Sequence, residues 1–294
     1  MFKSGVVAVV GRPNVGKSTL LNFLIGQKLN IISDKPQTTR NRITCILTTE
    51  EGQIIFLDTP GLHKPRNKLG EYMVKVAIDS LREVDVILFL VEACHRPGKG
   101  DEYVVDLLRE AQTPVFLILN KIDMLSPGEL ESYEKLYRGL YDFAEVIPVS
   151  AVSGTNVPLI LQKLLEYLPE GPQYYPEDMI TEQPERFVVS ELIREKILEL
   201  TRDEVPHSVA VEVEEMKERK GKNMVYIRAN IYVERESQKG IIVGKGGKML
   251  REIGGKARQD IERLLGCKSF LELWVKVQKD WRNRDRTLKD LGYS

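Results

Sequence analysis

The stretch GRPNVGKS, from Gly11 to Ser18, decides the fold of the first half of the chain. It follows the apolar run VVAVV and opens STLLNFLIG, whose apolar residues recur at helical spacing. Glycines at this spacing let backbone N–H groups turn inward around phosphates, and the helix N-terminus adds a favourable dipole. The pattern therefore predicts a nucleoside triphosphate loop, with a plain glycine turn as the alternative. The predicted loop residues are Gly11, Arg12, Pro13, Asn14, Val15, Gly16, Lys17, Ser18 and Thr19.

Within this loop, two side chains have specific expected roles. Lys17 should reach the β- and γ-phosphates, and the Ser18 hydroxyl should bind Mg²⁺.

Short apolar runs rich in β-branched residues continue through the first half: IIFL at 54–57, VILFLV at 86–91, VFLIL at 115–119 and EVIPVS at 145–150. Continuous rather than alternating runs indicate strands buried on both faces, as in a mostly parallel sheet flanked by helices. ITCILTT and IIFL form the exception, because the turn EEGQ between them is too short for a crossover. They should form an antiparallel hairpin. The expected class is an α/β domain.

The base site is predicted from NKID at 120–123 and SAV at 150–152, each at the carboxyl end of a strand, where such sheets bind ligands. An aspartate there accepts from both the ring N–H and the exocyclic amine of guanine, whereas adenine would leave the carboxylate unpaired. GTP is therefore preferred over ATP. We expect Asp123 to select guanine, Asn120 to join the loops and the Ala151 N–H to meet guanine O6. The predicted base-site residues are Asn120, Lys121, Asp123, Ser150 and Ala151.

A proline-rich run without periodicity, 171–186, predicts a linker between a domain at 1–170 and one at 187–294. After it, FVVSELIREKILELT has helical spacing, while SVAVEVEEM and VYIRANIYVE alternate around the turn KERKGKN. Two helical stretches and the alternating FLELWVKVQ follow. The order α-β-β-α-α-β, with one sheet face packed and one open, is that of a type II KH domain.

The stretch VGKGGKM places a G-x-x-G loop between the two helices of that order, where KH domains clamp about four nucleotides. Residues 239–294 contain 14 Lys or Arg against 7 Asp or Glu, although the whole chain has no net charge. This basic segment suits a polyanion. Ile241, Ile242 and Val243 either line the base groove or belong to the core. The predicted RNA-binding residues are Ile241, Ile242, Val243, Gly244, Lys245, Gly246, Gly247 and Lys248.

Composition excludes other classes. The three cysteines and three histidines are scattered, which disfavours disulfides and a thiolate or histidine metal site and favours a reducing cytoplasm. The longest apolar run, VILFLV, is far too short to span a membrane.

A further stretch, DTPGLH at 58–63, is a D-x-x-G pattern that chance alone would produce about once in such a chain. With GRPNVGKS, PQTTRNRI, NKID and SAV, however, it resembles the five nucleotide-binding motifs of translation-factor-class GTPases. The QTTR form of the second motif and the C-terminal domain are similar to the bacterial Era family, over essentially the whole chain.

The resemblance implies roles around the γ-phosphate. Thr39 would sense Mg²⁺, with Thr38 as the alternative, and the Gly61 N–H would meet the γ-phosphate. The implied Mg²⁺ ligands are Ser18, Thr39 and Asp58, and the implied nucleotide contacts of the third motif are Asp58, Thr59, Pro60, Gly61 and Leu62.

Leu62 stands where many GTPases carry a water-orienting glutamine, so another source of transition-state charge is needed. Related enzymes use an asparagine at the position of Asn14 to hold K⁺, which predicts K⁺-stimulated hydrolysis; simple capping of the loop is the alternative. The expected catalytic residues are Lys17, Asn14, Thr39 and Gly61.

By resemblance, the partners are GTP and GDP, the 3′ end of small-subunit ribosomal RNA and the 30S subunit during assembly. We expect a monomer in the cytoplasm. Era proteins also associate with the inner face of the cell membrane, although no amphipathic anchor stands out here. The alternatives are a signalling GTPase acting through protein or membrane partners, and an RNA-binding module whose nucleotide fold is only structural.

Overall fold

The computed structural model describes residues 1–35, 37–219 and 223–293. Pro36 of the PQTTR motif and Lys220, Gly221 and Lys222 of the predicted KERKGKN turn lie outside the described residues. The chain divides into two compact units. The first comprises Met1–Asn30, Thr39–Arg66 and Gly70–Glu182, and the second comprises Ile31–Thr38, Asn67–Leu69 and Gln183–Ser294.

The first unit contains a six-stranded sheet of order β2-β3-β1-β4-β5-β6. Every pairing is parallel except β2 with β3, so the predicted antiparallel hairpin is confirmed. The central strands are buried on both faces, as their continuous apolar runs require. The strands are β1 (Lys3–Val10), β2 (Ile43–Thr48), β3 (Gly52–Asp58), β4 (Val86–Glu92), β5 (Val115–Asn120) and β6 (Glu145–Pro148).

Helices follow most of these strands and cover the sheet, which confirms the predicted α/β class. They are α1 (Lys17–Ile25), α2 (Lys68–Asp79), α3 (Lys99–Leu108), α4 (Glu129–Arg138) and α5 (Val157–Tyr167).

The residues predicted as a linker are bound to this sheet over much of their length. Gln53 of β3 accepts hydrogen bonds from the backbone N–H groups of Tyr174 and Tyr175 at 2.8 and 2.9 Å. Thr181 Oγ1 donates to the Thr44 carbonyl of β2 at 2.6 Å. The first unit consequently extends to Glu182, and the division between units falls inside the predicted linker.

The second unit has the predicted α-β-β-α-α-β order. Its sheet runs β7-β8-β9, with β7 and β8 antiparallel and β8 and β9 parallel. The elements are α6 (Glu185–Leu200), a short α7 (Val205–Ser208), β7 (Ala210–Glu218), β8 (Met224–Val233), α8 (Glu236–Val243), α9 (Lys248–Leu265), β9 (Lys268–Val277) and α10 (Asp285–Asp290).

One face of this second sheet forms a core with α6, α8 and α9. Ile227, Ala229 and Ile231 of β8 are fully buried there, as their alternation predicts. On the preceding strand, Val211 and Val213 are only half-buried. Among the described residues, no helix is both long and apolar enough to cross a bilayer.

Candidate nucleotide and RNA sites

The phosphate loop connects β1 to α1, as predicted. Gly16 has a φ of 100°, and a Cβ there would lie 2.3 Å from Asn120 Nδ2. Only glycine combines this backbone conformation with such a close approach. The loop is thus shaped by its own dihedrals and by the end of β5, which lies against it.

Lys17 is the first residue of α1, and its side chain turns back over the loop. Its ammonium group donates to the carbonyls of Gly11 and Arg12 at 3.2 and 3.0 Å. Burial lowers the pKa of Lys17 to about 8, because the charged form loses hydration, and attraction to Asp58 partly offsets the shift. A buried cation held in this way is suited to binding an anion.

Three oxygen-bearing side chains converge beside Lys17. The Ser18 hydroxyl donates to Asp58 Oδ2 at 2.8 Å and lies 3.0 Å from Thr39 Oγ1. Thr38 Oγ1 instead donates to the Lys35 carbonyl at 2.6 Å, so the structure brings Thr39 rather than Thr38 to this cluster.

The surroundings of the Asp58 carboxyl group indicate that this cluster is suited to binding a cation. Its Oδ1 atom is buried and has no hydrogen-bond partner among the described residues. Burial raises the pKa of Asp58 to about 6, against the attraction of Lys17 and the hydrogen bond from Ser18. An unpaired buried carboxylate oxygen beside two hydroxyls is a donor set that fits Mg²⁺.

The D-x-x-G loop lies directly on the phosphate loop. The Leu62 N–H donates to the Gly11 carbonyl at 3.1 Å, and a Cβ on Gly61 would lie 2.6 Å from the Pro13 nitrogen. Thr59 Oγ1 donates to the Val9 carbonyl at 2.7 Å. The Leu62 side chain is 1% exposed and packs in the core of the first unit, which the sequence did not reveal.

The base site is organised by Asn120 at the end of β5. Its Nδ2 donates to the Val15 carbonyl at 2.8 Å, and its Oδ1 accepts from the Ala151 N–H at 2.9 Å. Asn120 thus joins the phosphate loop to the SAV loop. The Ala151 amide, expected to meet guanine O6, is engaged by Asn120 here, so its contact with the base stays a prediction.

The two other predicted base-site side chains differ in environment. Lys121 has a φ of 68° and pairs with Glu92 at the end of β4. Asp123 lies on a short 3₁₀ helix, Ile122–Met124, and is exposed.

Two positioning contacts were missed from the sequence. Arg12 of the phosphate loop donates to Asp101 at 2.8 Å, and Asp101 is fully buried and also accepts from the Gly98 N–H at 3.0 Å. In the second unit, the fully buried Arg194 of α6 pairs with Glu191 and donates to the Thr38 carbonyl. The contact of Arg12 with Asp101 and that of Arg194 with Thr38 join residues distant in sequence, and no local pattern marks them.

The G-x-x-G loop joins α8 to α9, as predicted. Lys245, Gly246 and Lys248 are exposed. The alternatives for the preceding apolar residues are resolved at Ile242, which is fully buried in the core and therefore unavailable to RNA. Ile241 is 48% exposed. A groove between α9 and β9 runs from this loop, lined among others by Gly247, Leu250, Arg251, Gly254, Phe270 and Glu272.

Comparisons with known proteins find relatives of both parts of the chain. Residues 6–121 match a family model described as a 50S ribosome-binding GTPase, and residues 204–282 match a KH domain. A crystal structure of a variant of Aquifex aeolicus Era bound to GDP and AlF4⁻ is similar at 44% identity and a TM-score of 0.97, with 100% of each chain covered. Era in complex with MgGDPNP and nucleotides 1506–1542 of 16S ribosomal RNA is similar at 44% identity and a TM-score of 0.96, again over 100% of each chain. The chain belongs to the Era family of GTPases.

Proposed function

We propose that this protein is a GTP-hydrolysing switch that binds the 3′ end of small-subunit ribosomal RNA through its KH domain and assists 30S assembly. The observation that carries the proposal is the match, over 100% of both chains, to Era bound to Mg²⁺, a GTP analogue and that RNA. The description of the GTPase family model names the 50S subunit, but that model matches only residues 6–121. The full-length relative is the better guide to the RNA.

The geometry of the first unit supports a role for each phosphate-site residue. The loop N–H groups and the buried Lys17 ammonium bind the phosphates. Ser18, Thr39 and Asp58 hold Mg²⁺, which when bound offsets the charge of the β- and γ-phosphates. The Gly61 N–H, placed against the phosphate loop, meets the γ-phosphate. Water attacks the γ-phosphorus, the bond to the bridging oxygen breaks, and GDP and phosphate leave.

Because Leu62 is buried, it cannot orient that water, and Asn14 is the internal candidate to assist. Asn14 lies on the exposed side of the loop with a φ of 66°. In this proposal the Asn14 side chain would hold K⁺, which would supply positive charge that stabilises the transition state. Hydrolysis should be faster in KCl than in NaCl at equal ionic strength. Asn14→Ala should abolish the difference; equal wild-type rates in the two salts would contradict the role.

Nucleotide state should control RNA affinity, with the GTP form binding more tightly. The support lies around Thr38 and Thr39. Thr39 is 3.0 Å from Ser18, whereas the preceding residue, Thr38, is bound by Arg194 of α6 in the second unit. Loss of the γ-phosphate should therefore move Thr39, and Thr39 is covalently joined to Thr38, which Arg194 binds.

The test measures binding of a fluorescent RNA, equivalent to nucleotides 1506–1542 of 16S ribosomal RNA, by anisotropy. A base-shuffled RNA is the specificity control. We expect salt-sensitive binding of the first RNA, tighter with GDPNP than with GDP, and GTPase activity that Lys17→Ala removes. Equal affinity for the two RNAs refutes the assignment, and equal affinity in the two nucleotide states refutes the coupling.

An RNA target on the small subunit favours action in the cytoplasm, and the protein is proposed to act as a monomer. Light scattering and cell fractionation test these points. Recovery with the inner membrane would support peripheral association as a second location.

A further inference from the structure

The side of the second sheet opposite its core carries four aromatic side chains. Tyr232 of β8 is engaged by Glu212, and the other three form a connected group. They are Tyr226 on β8 and Phe270 and Trp274 on β9, and we call them the aromatic face. Alternation along β9 turns Leu271 and Leu273 toward the core and these rings away from it. Phe270 is 49% and Trp274 55% exposed, whereas large apolar rings are ordinarily covered. Adjacent exposed rings of this kind indicate a contact surface.

These rings are held in place before any ligand arrives. Tyr226 and Phe270 are register partners whose rings stack at a centroid distance of 6.0 Å. Glu272, between Phe270 and Trp274 on the same strand side, accepts from the Tyr226 hydroxyl at 2.6 Å and from Trp274 Nε1 at 2.7 Å. The single carboxylate therefore fixes two of the three aromatic side chains, which lowers the entropy cost of binding.

The aromatic face continues the KH groove. Phe270 and Glu272 line the groove on its β9 side, and both also belong to the outward row of that strand. A strand of nucleic acid leaving the groove across β9 would meet Phe270 first and then Trp274, four residues further and about 13 Å away along the strand.

The charges beside the rings suit a polyanion. The Arg219 guanidinium lies 5.2 Å from the Phe270 ring centroid and 5.6 Å from that of Tyr226. Exposed Lys276 extends the outward row beyond Trp274. The carboxylates on this side of the sheet are engaged by neighbouring side chains. Glu272 accepts from its two aromatic donors, Glu212 accepts from Tyr232, and Glu214 and Glu215 pair with Arg228. Flat rings flanked by cations are the elements with which proteins bind unpaired nucleobases.

We infer that the aromatic face is a second contact surface for single-stranded RNA, on which bases stack where the RNA extends beyond the groove. The inference rests on the RNA-binding function proposed above. The proposed RNA site then comprises the groove with its G-x-x-G loop and, in addition, a stacking surface on the open side of the sheet.

Tryptophan fluorescence tests this directly. The chain has two tryptophans, and the other, Trp281, is fully buried with its Nε1 bonded to the Ser208 carbonyl at 2.8 Å. The RNA equivalent to nucleotides 1506–1542 should quench the emission of Trp274 as it binds, and Trp274→Phe should remove the quenching while anisotropy still reports binding. Binding by the wild type without quenching would overturn the inference, whereas absence of any binding would refute the proposed function as well.

Affinity provides the second readout. Phe270→Leu/Trp274→Leu keeps apolar side chains but removes both flat rings, and should weaken binding of that RNA about tenfold. Truncating the RNA toward the four nucleotides that a KH groove holds should abolish the difference from the wild type. Tyr174→Leu, at an exposed tyrosine of the first unit, is the matched control and should bind normally.

Unchanged RNA affinity in the double variant would overturn the inference. If that variant bound RNA normally but no longer sedimented with 30S subunits, the face would contact a ribosomal protein instead. Equal weakening at every RNA length would also count against it, since this would indicate damage to the groove.

Discussion

The two glycine loops of this protein, one proposed to bind nucleotide phosphates and the other RNA phosphates, are shaped in different ways. In the first, Gly16 is enclosed: its backbone has positive φ, and Asn120 occupies the space of a side chain. In the second, Gly246 has a φ of 60°, but a Cβ there would meet no described atom within 4 Å. The tight position of the second loop is Gly244, where a Cβ would lie 2.7 Å from the Cβ of Met249, five residues further along the chain. The first loop is therefore closed by the end of a distant strand, and the second is closed only by its own turn. A small mobile anion with several charges requires an enclosed site, whereas a nucleic-acid strand requires an accessible one.

The largest effect should come from filling the enclosed loop. Gly16→Ala forces the Asn120 amide to move and places alanine in an unfavourable conformation, so GDP affinity should fall at least ~100-fold. Gly26→Ala is the matched control, because Gly26 also has positive φ, 72°, but open space around it. It should cost about 1 kcal/mol of stability and leave GDP affinity unchanged. Titration with a fluorescent GDP measures the affinity of each variant, and urea unfolding measures its stability. Similar GDP affinities for the two variants would contradict the distinction between the loops.

The next effect tests how the core supports the enclosed loop. Leu62→Gln restores the residue typical of many GTPases, but its amide would enter the apolar core. We expect a loss of about 2–3 kcal/mol in the free energy of unfolding and no gain in hydrolysis. Leu62→Met should cost less than ~1.5 kcal/mol. Urea unfolding and single-turnover assays decide, and faster hydrolysis by Leu62→Gln would show that the side chain leaves the core during the reaction.

A smaller effect is expected at the open loop, where charge should matter more than shape. Asparagine and aspartate both tolerate the left-handed conformation of Gly246. Gly246→Asp should weaken binding of the ribosomal RNA about tenfold through repulsion of phosphates, and Gly246→Asn only about twofold. Anisotropy titrations at two salt concentrations test this. An equal loss in both variants would mean that the second loop is as sterically restricted as the first.

The smallest effect concerns the titration of the enclosed site. In the proposed site, Mg²⁺ binds the ionised form of Asp58, whose pKa burial raises to about 6. Binding should therefore displace a proton from Asp58 as the pH falls through that value. Between pH 7.5 and 5.5, protonation of Asp58 should reduce the Mg²⁺-dependent gain in GDP affinity about fourfold. Asp58→Asn retains the titration of the nucleotide phosphates but lacks that of the carboxyl group. Parallel pH profiles for the two proteins would show that Asp58 does not titrate in this range.

Much of the first site was predictable because its determinants are local. GRPNVGKS fixes a strand-loop-helix turn by the spacing of its glycines, and NKID follows a strand whose end lies at the same sheet edge. The order of periodicities after residue 187 likewise indicated the KH unit and the position of its loop. In each case, a few adjacent residues determine the backbone conformation.

The sequence by itself thus determined the two folds, the guanine-nucleotide motifs and the G-x-x-G loop. Only the tertiary structure decided that Thr39 rather than Thr38 lies beside Ser18, that Asn120 joins two loops and that Arg194 binds the Thr38 carbonyl. It also placed Leu62 and Ile242 in cores and aligned Phe270 with Tyr226. These facts depend on strand order and register, which bring residues far apart in the chain into contact. Spacing along the chain carries no record of such contacts, because the same apolar or charged residue fits a surface, a core or a site until its neighbours are fixed.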